Sequence, residues 1–170
     1  RTIRELLDYA NNTSPEILEI DVEAILEDVV AFLRPVQQRS TVEIATDLGA
    51  AGAIVRGDEV QLRQIFVNLI LNGIQACAGR PGRVLVRSRW EGEQVLVEVV
   101  DNGCGIPAEV QPHVFKPFFT TTPRGEGTGL GLPTARRIAE MHGGSLELAS
   151  SSSEGTSFRV RLRRGLSPIA

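Results

Sequence analysis

The sequence NLILN at residues 68–72 is followed along the chain by DNGCGI at 101–106, FFTT at 118–121 and GEGTGLGL at 125–132. In that order the four clusters supply two asparagines one helical turn apart, an acidic glycine turn, an apolar pair beside threonines, and a glycine-rich loop. An amide offers a neutral oxygen to a metal, a carboxylate accepts hydrogen bonds, and free N–H groups at a helix start attract anions. The combination predicts a nucleotide site.

The first cluster falls on a long helix that we predict from Glu59 to about Ala78, with Asp58 as its N-cap. Its apolar stripe consists of Leu62, Ile65, Phe66, Leu69, Ile70, Gly73 and Cys77. A separate stripe, at spacings of three and four, consists of Gln61, Gln64, Asn68, Asn72 and Gln75. Carboxamides are therefore expected along one edge of this helix.

Helical periodicity also predicts the tail of a longer helix at 1–12, a helix capped by Asp21 that ends near Pro35, and a helix at 130–142. One further short helical turn is expected around 108–115. Extended segments are predicted at 17–20, 42–48, 54–56, 83–90, 94–100, 145–149 and 156–163. Strands and helices thus alternate irregularly within what the length of 170 residues predicts to be one domain.

The composition excludes several classes of protein. A hydrophobic content of 42%, 23% charged residues and a formal charge of −3 are ordinary for a soluble domain and give no reason to expect nucleic acid as a partner. The two cysteines, Cys77 and Cys104, suggest neither a disulfide framework nor a metal motif. Since no apolar run approaches the ~20 residues of a membrane helix and no signal-peptide pattern is seen, a cytoplasmic location is expected for this piece.

Asp101 follows a predicted strand, and Gly103 and Gly105 could let a flat base approach the backbone. A carboxylate accepts a hydrogen bond from the amino group of adenine, whereas guanine would present a carbonyl there, so Asp101 should favour ATP over GTP. The alternative is an ordinary Asp-Asn-Gly turn. The loose G-x-G-x-x-A dinucleotide pattern at 103–108 is a weak match, because Pro107 prevents an immediate helix.

The glycine loop leads directly into the predicted helix at 130–142, where N–H groups would meet phosphates. It is not a P-loop, because no Lys-Ser or Lys-Thr follows it. Asn72 is the candidate ligand for Mg²⁺ carried by the triphosphate, and Asn68 could hold a water or a phosphate. The alternatives are solvated helix residues and a flexible loop.

Taken together, the clusters resemble the ATP-binding catalytic domain of two-component sensor histidine kinases, within the superfamily of gyrase-type and mismatch-repair ATPases. The resemblance covers about residues 21–164 and is closest to nitrogen-regulation and dicarboxylate-sensor kinases. It implies that ATP and Mg²⁺ are bound, with Asn72 as the metal ligand and Thr156 touching adenine beside Asp101. The nucleotide-binding residues implied are Asn68, Asn72, Asp101, Gly103, Gly105, Ile106, Thr128, Gly129, Leu130, Gly131, Leu132 and Thr156.

The resemblance implies an α+β fold of the Bergerat type, a two-layer sandwich with a mixed, mostly antiparallel sheet packed under helices. Residues 16–166 would form the catalytic domain, with a lid at about 107–128 anchored by Phe115 and Phe118. Residues 1–15 would be the end of a dimerisation helix and a linker, and 167–170 a tail. An excised catalytic domain is therefore expected, whose parent protein could be membrane-anchored.

In the ATPase branches a glutamate that activates water lies four residues before the magnesium asparagine, and here Asn68 occupies that position. Transfer of the γ-phosphate to a histidine is therefore favoured over hydrolysis. The resemblance implies that this histidine lies on the dimerisation and histidine-phosphotransfer domain. From there the phosphate would pass to a response regulator receiver domain. A gyrase-like ATPase and a non-catalytic nucleotide-sensing module remain alternatives. Neither His113 nor His142 fits the acceptor motif, and both are interpreted as structural.

Two departures from the family pattern concern lysines, which many relatives carry at the first position and some at the second. Thr122 and Gln75 stand there in this chain, so the nearest cations are Arg124 and Lys116, either of which could meet the γ-phosphate. Gly73 replaces the usual alanine inside a helix, at a cost of about 1 kcal/mol.

Overall fold

The computed structural model describes residues 15–121 and 127–165, so the helical tail expected at 1–12 lies outside the described residues. Within these ranges the elements are β1 (Ile17–Asp21), α1 (Val22–Gln38), β2 (Val42–Gly49), β3 (Ile54–Asp58), α2 (Glu59–Ala76), β4 (Gly82–Glu91), β5 (Gln94–Asp101), a 3-10 helix (Gln111–His113), α3 (Gly131–Met141), β6 (Ser145–Ser152) and β7 (Gly155–Arg163). None of these helices combines the length and apolar character needed to cross a membrane.

Five strands form one sheet in the order β2-β4-β5-β7-β6. The edge strand β2 runs parallel to β4, and the other neighbouring pairs are antiparallel. β1 and β3 pair antiparallel as a separate two-stranded sheet. The mixed, mostly antiparallel sheet packed against helices confirms the fold class expected from the sequence.

Helix α2 is held in place by its apolar stripe. All seven residues of that predicted stripe are buried, including Leu62, Phe66 and Ile70 with no exposed surface. Burying a large aliphatic or aromatic side chain contributes about 1.5–3 kcal/mol. Burial of the apolar stripe fixes the rotation of α2 and thereby the position of its amide stripe.

The predicted helix caps are confirmed, but the end of α1 differs from the prediction. Asp21 accepts from the N–H groups of Glu23 and Ala24, and Asp58 accepts from the N–H of Gln61 at 2.9 Å. The prediction that α1 ends near Pro35 is wrong, because the helix continues to Gln38. Pro35 and the residue four before it, Ala31, both face solvent, so water can satisfy the carbonyl that a proline cannot bond.

Gly73 faces strands β4 and β5 at close range. A Cβ at this position would lie 3.0 Å from the Cγ2 of Val84 and 3.4 Å from the Cβ of Asp101. Val84 is fully buried on β4 and has little room to move. The glycine therefore allows this close approach of helix and sheet.

We expect Gly73→Ala to destabilise the protein by about 0–2 kcal/mol and not to stabilise it. The helix propensity gained, about 1 kcal/mol, is offset by an overpacking cost of about 1–3 kcal/mol. Urea unfolding of the two proteins measures the difference. A variant more stable by a full 1 kcal/mol would show that Val84 gives way without cost.

Candidate nucleotide-binding site

A cavity of about 490 Å³ lies between α2, the start of α3 and the segment that follows β5. This volume is within the range of small-ligand pockets in proteins. Its lining residues are Asn68, Leu71, Asn72, Gln75, Ala76, Ala78, Cys104, Gly105, Ile106, Val110, Val114, Phe119, Thr120, Thr121, Gly127, Thr128, Gly129, Gly131, Leu132, Pro133 and Thr156. The four sequence clusters, separated along the chain, thus meet around one space.

The amide edge of α2 forms one wall of the cavity. Asn68, Asn72 and Gln75 line it, whereas Gln61 and Gln64, nearer the start of the helix, do not. The Nδ2 group of Asn68 donates to the carbonyl oxygen of Gly131 at 3.2 Å, which ties α2 to the first residue of α3. Asn72, between Asn68 and Gln75 on this wall, can offer its amide oxygen to a ligand.

Asp101, the last residue of β5, is only 5% exposed. Its Oδ1 accepts from the N–H of Gly103 at 2.8 Å. Burial raises the pKa of this carboxyl above its ordinary value, and backbone N–H groups of Gly103 and Thr156 offset part of that increase. A carboxyl kept at a desolvation cost is the kind of group found at functional sites.

Asp101 and Gly103 are not themselves cavity-lining residues, although Gly105 and Thr156 are. Thr156 is the cross-strand partner of Asp101 in the β5–β7 ladder. The carboxyl therefore lies beside the hydroxyl of Thr156 at the sheet end of the cavity.

Asn102, directly after β5, accepts hydrogen bonds that hold the end of this strand in place. The sequence interpretation did not predict this role. Its Oδ1 accepts from the N–H of Arg83 at 2.7 Å, and its carbonyl accepts from Arg80 Nη2 at 2.9 Å. The buried thiol of Cys77 also points at this Oδ1, and burial raises the pKa of the thiol. These contacts join distant segments, so no local sequence signal could reveal them.

Two glycines in the acidic turn are required by neighbouring backbone. A Cβ at Gly105, where φ is +75°, would lie 1.7 Å from the carbonyl oxygen of Ser152. A Cβ at Gly103 would lie 2.6 Å from the carbonyl oxygen of Ala76. Close packing against the end of α2 and against β6 thus requires glycine at both positions. Gly105 also lines the cavity, and the approach of a base to this turn stays a prediction.

The glycine loop forms another part of the cavity wall. Gly127, Thr128, Gly129, Gly131 and Leu132 line the cavity, whereas Leu130 does not and is 39% exposed. Leu130, the N-cap residue of α3, makes no side-chain hydrogen bond to the first turn of the helix. The N–H groups of Gly131 and Leu132 are therefore placed to bind an anion.

The two phenylalanines expected to anchor the lid behave differently. Phe115 packs edge-on against Phe158, with ring centroids 6.2 Å apart. Phe118 is 76% exposed and holds a φ of +64°, unusual for a bulky side chain. Its N–H donates to the carbonyl oxygen of Gly129 at 2.9 Å, which joins the two ends of the glycine-containing segment. Phe115 is thus an apolar anchor here and Phe118 is not.

Neither candidate cation is placed in the cavity by the structure. Arg124 lies outside the described residues, and Lys116 is exposed and is not a lining residue. Along the described part of the wall, no lysine or arginine is present.

The two histidines have structural environments. The Nε2 of His142 accepts from the N–H of Asp58 at 3.0 Å, and its Nδ1 lies 2.8 Å from the carbonyl oxygen of Ile138. His142 therefore joins the end of α3 to β3, as its structural interpretation predicts. His113 packs against Phe119 with ring centroids 5.9 Å apart.

The donor atoms around the cavity fit a magnesium ion that arrives with phosphates. In residues 15–121 and 127–165 there is no group of three or more His, Cys, Asp or Glu side chains that could hold a metal by itself. Mg²⁺ commonly takes one or two protein oxygens and completes its shell with phosphates and water. The amide oxygen of Asn72 is such a donor, beside the N–H groups that would receive the phosphates.

Comparisons with known proteins agree with this geometry. The chain is 34% identical to the C4-dicarboxylate transport sensor protein DctS of Rhodobacter capsulatus over 94% of its length, but it spans only 24% of DctS. The catalytic domain of histidine kinase ThkA, nucleotide-free, superposes with a TM-score of 0.77 at 27% identity, covering 88% of this chain and 96% of that one.

A second structure, ThkA in complex with response regulator protein TrrA, has the same fold, with a TM-score of 0.76 at 24% identity and coverage of 96% of this chain and 46% of that one. The family model for histidine kinase-, DNA gyrase B- and HSP90-like ATPases matches residues 57–166. That match spans α2, the cavity and the strands that carry Asp101 and Thr156. This chain therefore belongs to the family of histidine kinase-, DNA gyrase B- and HSP90-like ATPases.

Proposed function

We propose that this chain is the catalytic part of a sensor histidine kinase, which binds Mg-ATP and donates the γ-phosphate to a histidine elsewhere in its own protein. The observation that carries the proposal is that Asn72, the start of α3 and Thr156 meet around one cavity, with the buried Asp101 as the strand partner of Thr156. These groups recognise, respectively, a metal, phosphates and an adenine edge. DctS is a sensor protein and ThkA is a histidine kinase, and the whole-protein activity is extended to this chain from them.

The proposed orientation of ATP follows from the two ends of the cavity. Adenine lies at the sheet end, where the buried carboxylate of Asp101 accepts from its amino group. The triphosphate lies between the amide edge of α2 and the N–H groups of Gly131 and Leu132. Mg²⁺, when bound, neutralises phosphate charge, and Asn72 is the protein oxygen that would hold it.

Asn68 favours transfer over hydrolysis. A primary amide cannot take a proton from water at neutral pH, and the Nδ2 of Asn68 already donates to Gly131. The site thus lacks a general base at the position where the ATPase branches carry one. The acceptor histidine's nitrogen would form the new bond to the γ-phosphorus, the bond from that phosphorus to the β–γ bridging oxygen would break, and ADP would leave.

The partners are proposed on the same basis. The ThkA structure contains a response regulator protein, and we extend a receiver-domain partner to the protein of which this chain is part. The acceptor histidine would lie on a dimerisation domain that precedes the described residues. This catalytic part would work in the cytoplasm, whether or not the parent protein is membrane-anchored.

The test is incubation of the chain with γ-labelled ATP and Mg²⁺, with and without the parent protein's dimerisation segment. We expect label on a histidine of that segment, seen as an acid-labile and alkali-stable phosphoprotein, and little phosphate release by the chain alone. Steady phosphate release without transfer would instead support the ATPase alternative. Binding with neither transfer nor release would support a nucleotide-sensing module.

A further inference from the structure

Ser151, in the run of serines at 150–153 and near the end of β6, is hydrogen-bonded to two parts of the proposed adenine site. Its Oγ accepts from the N–H of Ile106, at the start of the proposed lid, at 2.8 Å. The same Oγ lies 2.9 Å from the Oγ1 of Thr156 and 3.5 Å from the carbonyl oxygen of Gly155. Ile106 and Thr156 both line the cavity. A residue outside the motifs therefore connects two lining residues.

The direction of these hydrogen bonds follows from the number of donor and acceptor sites on a hydroxyl group. A serine hydroxyl has one proton and two acceptor sites, and the N–H of Ile106 occupies one acceptor site. The serine proton then goes either to Thr156 at 2.9 Å or to Gly155 at 3.5 Å. The first distance is near the optimum for O–H···O and the second is at the limit, so Thr156 accepts the proton.

Once Thr156 accepts from Ser151, its own hydroxyl proton must point elsewhere. Thr156 is 4% exposed, and its side chain lines the cavity next to Asp101, its strand partner. A chain of donors in one sense, from the N–H of Ile106 through Ser151 to Thr156, also polarises each successive hydroxyl. The hydroxyl of Thr156 can therefore donate a hydrogen bond into the cavity, beside the carboxylate of Asp101, which accepts one.

We propose that Ser151 is a positioning residue that holds the hydroxyl of Thr156 as a hydrogen-bond donor to the nucleobase. The inference rests on the proposed function and specifies how that site selects its base. Adenine presents an amino donor and, beside it, the acceptor N1, which match Asp101 and an oriented Thr156 hydroxyl, directly or through one water. Guanine presents the opposite pattern, a carbonyl and a protonated N1. Ser151 therefore enforces the adenine pattern through Thr156.

The test is titration calorimetry of the chain with Mg-ATP and with 1-deaza-ATP, in which N1 is replaced by C–H. The wild-type chain should bind ATP about tenfold more tightly than the deaza analogue, since one oriented hydrogen bond is lost. In Ser151→Ala, Thr156 is no longer held as a donor, and this ratio should fall to about one. Ser151→Thr, which keeps the hydroxyl, should restore the ratio. Ser153→Ala, in the exposed turn of the same serine run, is the matched control and should behave as wild type.

The affinity ratio separates positioning from mere structural support, because a general loss of structure weakens both ligands equally. The role of Ser151 would be overturned by any of three results: an unchanged affinity ratio in Ser151→Ala, a wild-type ratio already near one, or a Ser151→Thr variant that does not restore the ratio. A wild-type chain that binds no ATP would overturn the proposed function itself. If Ser151→Ala does not fold, Thr156→Val and Ser151→Thr are compared instead. The inference is supported if the ratio of ATP to 1-deaza-ATP affinity falls to about one in Thr156→Val and stays at the wild-type value in Ser151→Thr. Any other result contradicts it.

Discussion

An Asp101→Asn variant is expected to bind ATP about fivefold to a hundredfold more weakly than the wild-type chain. Oδ1 of Asp101 already accepts from the N–H of Gly103 at 2.8 Å. If asparagine keeps its oxygen there, its NH₂ group faces the amino group of adenine, and if the amide flips, two donors meet at Gly103. A buried donor without an acceptor costs ~1–3 kcal/mol, up to about a hundredfold in affinity. Titration of both proteins with ATP measures the effect.

GTP and protein stability provide the controls for Asp101→Asn. The new NH₂ group can donate to the carbonyl of guanine, so the preference for ATP over GTP should shrink or reverse. Because burial raises the folded-state pKa of Asp101, the charged carboxylate disfavours folding above that pKa, and this penalty fades as pH falls and the group protonates. The variant should therefore be at least as stable as wild type at neutral pH. Undiminished ATP affinity in a folded variant would remove Asp101 from the site.

An Asn72→Ala variant is expected to lose the contribution of Mg²⁺ to ATP binding and to reduce phosphoryl transfer by about a hundredfold or more. The amide oxygen of Asn72 is the proposed protein ligand of the metal, and losing a ligand of this kind misplaces the triphosphate. ATP affinity is measured in the presence of Mg²⁺ and in the presence of EDTA. Wild type should bind more tightly with Mg²⁺, and the variant should show the same affinity in both conditions.

Gln61→Ala is the matched control for Asn72→Ala. Gln61 lies on the same amide stripe of α2 but does not line the cavity, so its removal should leave the magnesium effect intact. Circular dichroism and thermal unfolding of the two variants establish that α2 is preserved. An Asn72→Ala variant that keeps the full magnesium effect and wild-type transfer would mean that the metal is held by other groups.

Local patterns were sufficient for most of the fold. The 3.6-residue period of α2 predicts most of the buried residues, because a helix that packs on a sheet must place its apolar stripe against the core. Gln64, Val67 and Ile74, outside the predicted stripe, are also buried. The caps at Asp21 and Asp58 are likewise properties of a few neighbouring residues. The end of α1 was not predictable from Pro35 alone, because the cost of a proline depends on whether the freed carbonyl reaches water.

The sequence by itself determined the family, the succession of helices and strands, and the residue types that a nucleotide site needs, because each of these depends on short segments with a definite spacing. Only the tertiary structure decided which neighbours the site residues have. Gly73 and Gly105 are accounted for by the approach of Val84 and Ser152, and the roles of Asn102 and Ser151 arise from bonds to residues far along the chain. The physical reason is that steric contact and hydrogen bonding depend on the distance between atoms in space. The spacing of residues along the chain does not specify that distance, which is set when the core packs.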